Sequence, residues 1–231
     1  MNMRNVIVTI MGLCLALEAS AHPMEIRTPN LEPPREGKPY PPVMVPEGGD
    51  KLISLECPVT SSAGEKPVLG EWAQITDGDK AGEQEDKAAL VKYAEGVQWV
   101  QVDLRTSQVV NAICIWRHHE YPSVCRDIVV QLSDDVDFRD GVTTVFNNDH
   151  DNSADLGKGE AQEYIDRHMG RAFPVPGVRA RYVRSYSNGR YFSGGFDPFN
   201  YCTEIEVYGG EPASPPVEKA LKLTYPRPGF L

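Results

Sequence analysis

The chain has 231 residues, a net charge of −10 and 41% hydrophobic residues, enough for one sizeable folded domain with tails. An acidic surface repels phosphate groups, so nucleic acid and anionic membranes are not expected as partners. The sequence contains no GxSxG, no HExxH and no glycine-rich phosphate loop. The composition and motifs therefore favour a binding or structural protein over an enzyme.

The first 21 residues have the features of an export signal. Arg4 gives a positive start, residues 6–17 form an apolar run, and residues 19–21 (Ala-Ser-Ala) offer a cleavage site. A membrane span needs roughly 20 apolar residues, and Glu18 interrupts this run earlier. We expect a protein that is secreted, periplasmic or on the cell surface; a retained N-terminal anchor is the alternative.

Two proline-rich stretches, residues 22–49 and 211–231, flank the centre of the chain. Proline removes a backbone donor and fixes φ, so dense proline disfavours helices and sheet ladders. We expect both stretches to be extended, peripheral arms. Residues 50–210 are predicted to form a single domain between them.

The central region has the hydrophobic period of β-strands. Residues 100–104 alternate between apolar and polar, and residues 109–116 and 128–132 are apolar and β-branched. Further strands are predicted at 142–146, 179–186 and 203–208. Turn residues separate these segments and no helical stripe interrupts them, which predicts an all-β, antiparallel sandwich or jelly roll.

Four cysteines would remain after cleavage of the signal. An even number in an exported chain favours disulfides, and four cysteines allow three pairings. Cys114 and Cys125 lie in consecutive predicted strands, while Cys57 and Cys202 lie near the two ends of the domain. We expect the pairs Cys114–Cys125 and Cys57–Cys202; four free thiols are the alternative.

Six segments occur in an order that resembles a known family. They are ITDGD at 75–79, QWVQVDL at 98–104, RDIVVQLSDD at 126–135, VFNNDHDNS at 145–153, RARYVRSYSNG at 179–189 and TEIEVYG at 203–209. Together they resemble the discoidin, or coagulation-factor C-type, domain of the galactose-binding-like superfamily, in its exported bacterial form. The resemblance covers about residues 50–210 and implies a jelly-roll β-sandwich. It says less about the ligand, because this fold hosts many binding functions.

The resemblance also implies a structural calcium ion at the Asp-Gly-Asp turn. Calcium prefers six to eight oxygen ligands that mix carboxylates with carbonyls. Asp77 and Asp79 would supply side chains, Gln74 and Thr203 backbone carbonyls, and Glu204 a carboxylate from the last strand. An ordinary turn with solvated carboxylates is the alternative.

A second acidic segment, residues 149–160, has carboxylates and a serine at an EF-hand-like spacing. Ala154 occupies the position that needs glycine, and a predicted strand precedes the loop where an EF-hand has a helix. A hydrogen-bonded Asx-turn loop is therefore the preferred prediction over an ion site.

The predicted ligand residues lie on two loops between strands. A sugar site needs an aromatic ring against the apolar face of the sugar and a few polar groups for its hydroxyls. We expect the loops to converge and to provide His118, His119, Tyr121, Asn188, Arg190, Tyr191, Phe192 and Phe196. The alternative is that these aromatic residues pack against the proline-rich arms.

The sequence therefore predicts a non-catalytic, monomeric carbohydrate-binding module for extracellular or cell-surface glycans. The alternative is a protein-interaction or structural module of an exported complex. A glycosidase is disfavoured, because paired carboxylates such as Asp134 and Asp135 are common on any acidic surface.

Overall fold

Extended backbone dominates this computed structural model, which describes residues 32, 41–81, 89–211 and 217–225. These ranges contain one 3-10 helix, Trp72–Thr76, and no α-helix. The predicted signal peptide lies outside the described residues. The strands in chain order are β1 (Met44–Pro46), β2 (Lys51–Leu52), β3 (Val59–Ser61), β4 (Val91–Glu95), β5 (Gln98–Trp116), β6 (Ser123–Cys125), β7 (Val129–Ser133), β8 (Thr143–Asn147), β9 (Arg171–Ser187), β10 (Arg190–Phe192), β11 (Gly195–Asp197), β12 (Phe199–Cys202), β13 (Glu204–Gly209) and β14 (Glu218–Ala220).

A seven-stranded sheet forms the main layer. Its order is β2-β13-β5-β9-β7-β8, and β3 also pairs with β5. Every pairing is antiparallel, and the long strands β5 and β9 run side by side from Gln98↔Ser187 to Ile115↔Arg171. The predicted antiparallel β-sandwich is confirmed.

The main core lies on one side of this sheet. Along β5, Val100, Val102 and Leu104 point into it, which matches the predicted alternation. Val91 and Tyr93 of β4 cover the same core from the facing layer. Burying each such side chain contributes roughly 1.5–3 kcal/mol to folding. These contacts explain why residues 91–104 form strands.

A second apolar cluster lies on the opposite face of β5. Ala112, Cys114 and Trp116 belong to it and have no solvent exposure. Their covering layer comes from both ends of the chain: β1 pairs with β14 and buries Val45, while Leu221 follows β14. Both faces of β5 are therefore buried near Trp116, which accounts for the continuous apolar run there.

The two proline-rich stretches meet in this covering layer. Met44 pairs with Ala220 and Pro46 with Glu218, so the described parts of both stretches form a two-stranded ribbon. Pro46 is tolerated because it ends its strand. Residues 22–31, 33–40, 212–216 and 226–231 of these stretches lie outside the described part of the chain.

The predicted disulfides are wrong in this structure, where all four cysteines are free and buried. Cys114 belongs to the outer cluster and Cys125 to the main core, so the sheet separates the two thiols. The Cys57 thiol donates to the carbonyl of Ile53 and the Cys202 thiol to that of Trp116. Burial raises the pKa of Cys114, Cys125 and Cys202, which keeps these thiols protonated.

No helix within the described ranges is both long and apolar enough to cross a bilayer.

Candidate functional site

A small three-stranded sheet carries most of the predicted ligand residues. Its order is β11-β10-β6, and Arg190 pairs with Cys125 across two of its strands. Gly189 opens the β10–β11 hairpin with a φ of +71°, and a Cβ there would lie 2.7 Å from the carbonyl oxygen of Asp197. The segments 118–121 and 188–199, which the sequence analysis expected to converge, lie side by side.

The side of the hairpin that bears Arg190, Phe192 and Asp197 is called the front face here. His118 is buried against it, with its ring 5.3 Å from the ring of Tyr201, edge to face. Tyr121 stacks on the other side of His118 at 6.1 Å and is 45% exposed. The front face is therefore an aromatic and polar surface that reaches solvent through Tyr121.

The Arg190 guanidinium is fixed by two neighbours. It lies 4.3 Å from the ring centroid of Tyr201 and 3.4 Å from the carboxylate of Asp197. The Tyr201 hydroxyl donates to the same carboxylate at 2.9 Å. Because Asp197 stands opposite Arg190 in the hairpin, this network is set by strand register.

Three buried atoms of this surface have no hydrogen-bond partner in the part of the chain that the structure describes. They are Nδ1 of His118, Oε2 of Glu120 and Nη1 of Arg190. A buried polar atom without a partner costs about 1–3 kcal/mol. His118 Nε2 and Glu120 Oε2 lie 3.9 Å apart, which is too far for a hydrogen bond. These atoms are placed to bond a ligand that offers both donors and acceptors.

The protonation states at this surface follow from burial. Burial, and next the positive charge of Arg190, lowers the pKa of His118 to about 3, so its ring is neutral at physiological pH. Burial and the bond to Asp197 raise the pKa of Tyr201 to about 12. A neutral imidazole carries one donor and one acceptor, which suits a ligand hydroxyl.

The opposite side of the hairpin, called the back face, bears Tyr191 and Phe196. Their rings are 5.2 Å apart, and the Arg126 guanidinium lies 5.8 and 5.7 Å from them. Neighbouring strand residues point to opposite sides, so Tyr191 cannot join Arg190 in one site. The prediction of a single site that contains all eight ligand residues is therefore not met by this geometry.

Two further predicted ligand residues also lie away from the front face. The Asn188 amide donates to the carboxylate of Asp127 at 2.7 Å, on the side of the back face. His119 bonds the carbonyl of Arg117 through Nδ1 at 2.8 Å, and burial lowers its pKa. The structure thus brings together His118, Tyr121, Arg190 and Phe192, with Glu120 and Asp197 beside them.

The segment 149–160 forms a hydrogen-bonded loop, as its sequence suggested. Asp149 is fully buried and accepts bonds from the backbone nitrogens of Ser153 and Ala154. Asp127, Asp149 and Asp151 bring carboxylate oxygens within 4.8 Å of one another and could hold a metal ion. Arg126 lies 3.4 Å from Asp127 and 3.9 Å from Asp151, so a cation of the protein already adjoins this group.

The predicted calcium turn and strand β13 adjoin each other. The Gly78 nitrogen donates to Glu204 Oε2 at 3.2 Å, while Oε1 of this buried carboxylate has no partner among the described residues. Burial, with Glu206 and Asp77 nearby, raises the pKa of Glu204 to about 9. Asp77 Oδ1 accepts the bond from the nitrogen of Asp79 at 2.8 Å and shapes the turn. These ligands do not form a group as tight as the three aspartates above.

The other two predicted calcium ligands lie beside this turn. Gln74 belongs to the 3-10 helix that leads into it, and its side chain accepts a bond from the nitrogen of Glu71 at 2.5 Å. Thr203 is buried next to Glu204, with its hydroxyl bonded to the carbonyl of Arg117. The orphaned oxygen of Glu204 and the oxygen-rich turn fit a hard divalent cation.

Tyr201 is the front-face residue that the sequence analysis missed. It follows Phe199 and Asn200 in β12 and precedes the buried Cys202, where an aromatic residue is expected for packing alone. Asp197 was available from the sequence, since it stands seven residues after Arg190 across a glycine-containing turn, a spacing typical of a hairpin pair.

The chain is similar to several solved structures. No family model and no curated protein matches the chain. A chitosan-binding module from a Paenibacillus sp. IK-5 chitosanase/glucanase is 23% identical, covers 69% of this chain and 99% of its own, and has a TM-score of 0.46. A Streptococcus pneumoniae fucose-binding module is 15% identical, covers 70% and 97%, and also has a TM-score of 0.46.

A third similar structure is the lectin domain of lectinolysin complexed with Lewis B antigen. It is 13% identical, covers 70% of this chain and 98% of its own, and has a TM-score of 0.47. These three structures are thus a chitosan-binding module, a fucose-binding module and a lectin domain. At these identities the likeness concerns the fold alone.

Proposed function

We propose that the chain is a non-catalytic carbohydrate-binding module whose front face holds one sugar of an extracellular or cell-surface glycan. The observation that carries the proposal is the set of three unpartnered buried atoms, on His118, Glu120 and Arg190, beside aromatic rings. A sugar hydroxyl both donates and accepts, so it serves Arg190 Nη1, a donor, and Glu120 Oε2, an acceptor. The exposed ring of Tyr121 offers the apolar surface that a pyranose covers.

The expected affinity is modest. Each hydrogen bond to a charged group is worth about 1.5–3 kcal/mol, but the sugar gives up water contacts and freedom of motion. The Arg190 side chain is already held by Asp197 and Tyr201, so little order has to be gained on binding. We expect dissociation constants in roughly the micromolar to millimolar range for single sugars.

A glycan array followed by calorimetry tests the proposal. The array should identify a ligand, and Tyr121→Ala should weaken its binding at least about tenfold, since a stacking ring is lost. Phe196→Ala is the matched control, because Phe196 is 47% exposed against 45% for Tyr121 but lies on the back face. It should leave the affinity unchanged.

Other outcomes would reject or move the site. Equal losses in the two variants would mean that the front face is not the binding surface. Loss in Phe196→Ala alone would place the ligand on the back face. The absence of any glycan ligand for the folded, calcium-supplemented protein would count against carbohydrate binding itself.

We also propose a structural calcium ion at the Asp77–Asp79 turn and Glu204. The ion would supply positive charge to carboxylates that come from distant parts of the chain. Glu204 would present Oε1, its unpartnered oxygen, and the aspartates the oxygens that the turn leaves open. Melting temperature should then rise by several degrees between chelator and ~1 mM calcium, and Asp77→Ala should abolish the rise.

Export of the mature protein is part of the proposal, and its test is the N-terminal sequence of the native protein. Cleavage after Ala21 is expected. Retention of residues 1–21 on the native chain would contradict it.

A second candidate function is docking to a partner protein of an exported complex. The ribbon of β1 and β14 favours it, because Met44 is 49% exposed there and Val217, just before β14, is 53% exposed. Replacing both with serine should then abolish co-purification with that partner and leave sugar binding intact. If the double serine variant keeps both its co-purifying proteins and its sugar binding, the docking function is rejected and the carbohydrate proposal stands.

A further inference from the structure

The predicted calcium turn is followed at once by a half-buried lysine, Lys80, that contacts strand β13. Lys80 Nζ lies 2.5 Å from Glu206 Oε1, and the two side chains are 11% and 3% exposed. The ammonium group also lies 5.2 Å from the ring centroid of Trp116. Lys80 is therefore a fixed positive charge inside the protein rather than a solvated surface lysine.

Glu204 and Glu206 share one face of β13, because they are two residues apart on a strand. Glu206 is fully engaged, since Oε1 contacts Lys80 and Oε2 accepts the hydroxyl bond of Tyr208 at 2.5 Å. Glu204 keeps one unpartnered oxygen. Lys80 thus neutralises the carboxylate that lies next to the predicted calcium ligand.

The shape of the turn does not depend on Lys80. Asp79 donates its nitrogen to Asp77, the Ala81 nitrogen donates to Asp79 at 2.9 Å, and Gly78 donates to Glu204. These backbone hydrogen bonds fix the conformation of the Asp77–Asp79 turn, and Lys80 adds only a positive charge beside it. A charge a few ångströms from a divalent ion changes its binding by about tenfold or more in a partly buried setting.

We propose that the Lys80 ammonium is an internal counter-cation that weakens calcium binding at the Glu204 site. Its pairing with Glu206 withholds one negative charge from the ion and repels the ion directly. The site then binds calcium only where the ion is abundant, as in extracellular fluids. This inference rests on the proposed calcium site and goes beyond it, because it assigns the affinity to a residue that is not a ligand.

The test is calcium affinity measured by calorimetry and by thermal melting on the full chain. Lys80→Met keeps the aliphatic stem over Trp116 and removes the charge, so the calcium dissociation constant should fall about tenfold. Lys80→Arg keeps the charge and should bind calcium as the parent protein does. Without calcium, Lys80→Met should melt at a lower temperature, because Glu206 loses its partner.

The double variant Lys80→Met/Glu206→Gln restores the charge balance and guards against misfolding of the single variant. Its calcium affinity should return to near the parent value and its melting temperature in chelator should recover. Folding of Lys80→Met only in the presence of calcium would also support the inference.

The outcomes separate this inference from the calcium proposal itself. Equal calcium affinity in the parent protein and Lys80→Met would overturn the role of Lys80 and leave the ion site intact. Weaker binding in Lys80→Met would show that the lysine organises the turn instead. Absence of a calcium response in the parent and in every variant would overturn both.

Discussion

The two faces of the β10–β11 hairpin are built from consecutive residues, yet their polar groups are satisfied in different ways. On the front face, Arg190 is buried, and both it and His118 keep an unpartnered nitrogen. On the back face, Arg126 lies over Tyr191 and Phe196 and also contacts the acidic loop. On the back face the arginine is thus held between two rings and a carboxylate, whereas on the front face both buried nitrogens lack a partner among the described residues.

The difference in unpartnered polar atoms indicates which face is the better candidate for a binding site. Exposed aromatic rings are equally present on both faces, so aromatic content alone does not decide between them. The distinguishing feature is a buried polar atom that the fold positions but does not bond.

Each face of the hairpin has one arginine, and removing Arg190 should cost much more stability than removing Arg126. Arg190→Ala leaves Asp197 partly buried without its cation and should cost about 3–5 kcal/mol of unfolding free energy. Arg126 is more exposed than Arg190, at 26% against 6%. Without Arg126, the carboxylate of Asp127 keeps its hydrogen bonds from Ser153 and Asn188. Arg126→Ala should therefore cost no more than about 1 kcal/mol. Urea denaturation of both variants measures the two values. Similar costs would remove the contrast between the faces.

Acid should destabilise the protein through His118 on the front face. Its folded-state pKa of about 3 lies below the unfolded value of about 6.5, so the unfolded chain takes up the proton first as the pH falls. The stability that His118 contributes is complete above about pH 6.5 and should be smaller by about 2 kcal/mol at pH 5. Urea denaturation at pH 7 and 5 measures this change.

The control for this prediction is His118→Gln, which cannot titrate. Its stability should change less between pH 7 and pH 5 than that of the parent protein, by the same amount of about 2 kcal/mol. An unchanged pH dependence would mean that His118 is protonated in the folded state. Sugar affinity should stay constant over this range, because the imidazole remains neutral.

Loss of a single phenol hydroxyl should give the smallest effect. Tyr201→Phe removes the 2.9 Å bond to Asp197 and should cost about 1 kcal/mol. Tyr191→Phe removes the same atom from the back face and should change stability by less than about 0.5 kcal/mol. Thermal melting of the pair measures both, and a larger loss in Tyr191→Phe would contradict the comparison.

Much of the fold could be predicted from the sequence because strand periodicity is local. The alternation around Val100 and Val102 correctly gave the core-facing residues of β5. The predicted strands 100–104 and 109–116 proved to be parts of the one strand β5, with a register shift between Asp103 and Gln108. The polar residues 105–108 at this irregularity interrupt the apolar pattern, although the backbone continues as one strand.

The cysteine pairing failed because both faces of β5 are buried near Cys114. Where both faces of a strand are buried, the sequence has no alternation of apolar and polar residues. It therefore does not indicate which of the two apolar clusters a given residue joins. The separation of Tyr191 from Arg190 was available from the sequence by the same alternation rule, once β10 is taken as a strand. The unpartnered atoms of His118 and Glu120 depend on contacts between distant segments and have no local signal.

The ribbon of β1 and β14 has a mechanical consequence. Met44, where the chain enters β1, pairs with Ala220, where the chain leaves β14. Tension applied through the two chain ends would therefore separate the paired residues of β1 and β14 one pair at a time, beginning at Met44 and Ala220. It would not load all the pairs at once. Val45 and Leu221 would leave the Trp116 cluster while β5 and β9 remained paired. The protein should thus lengthen under a weak pull before its sandwich yields.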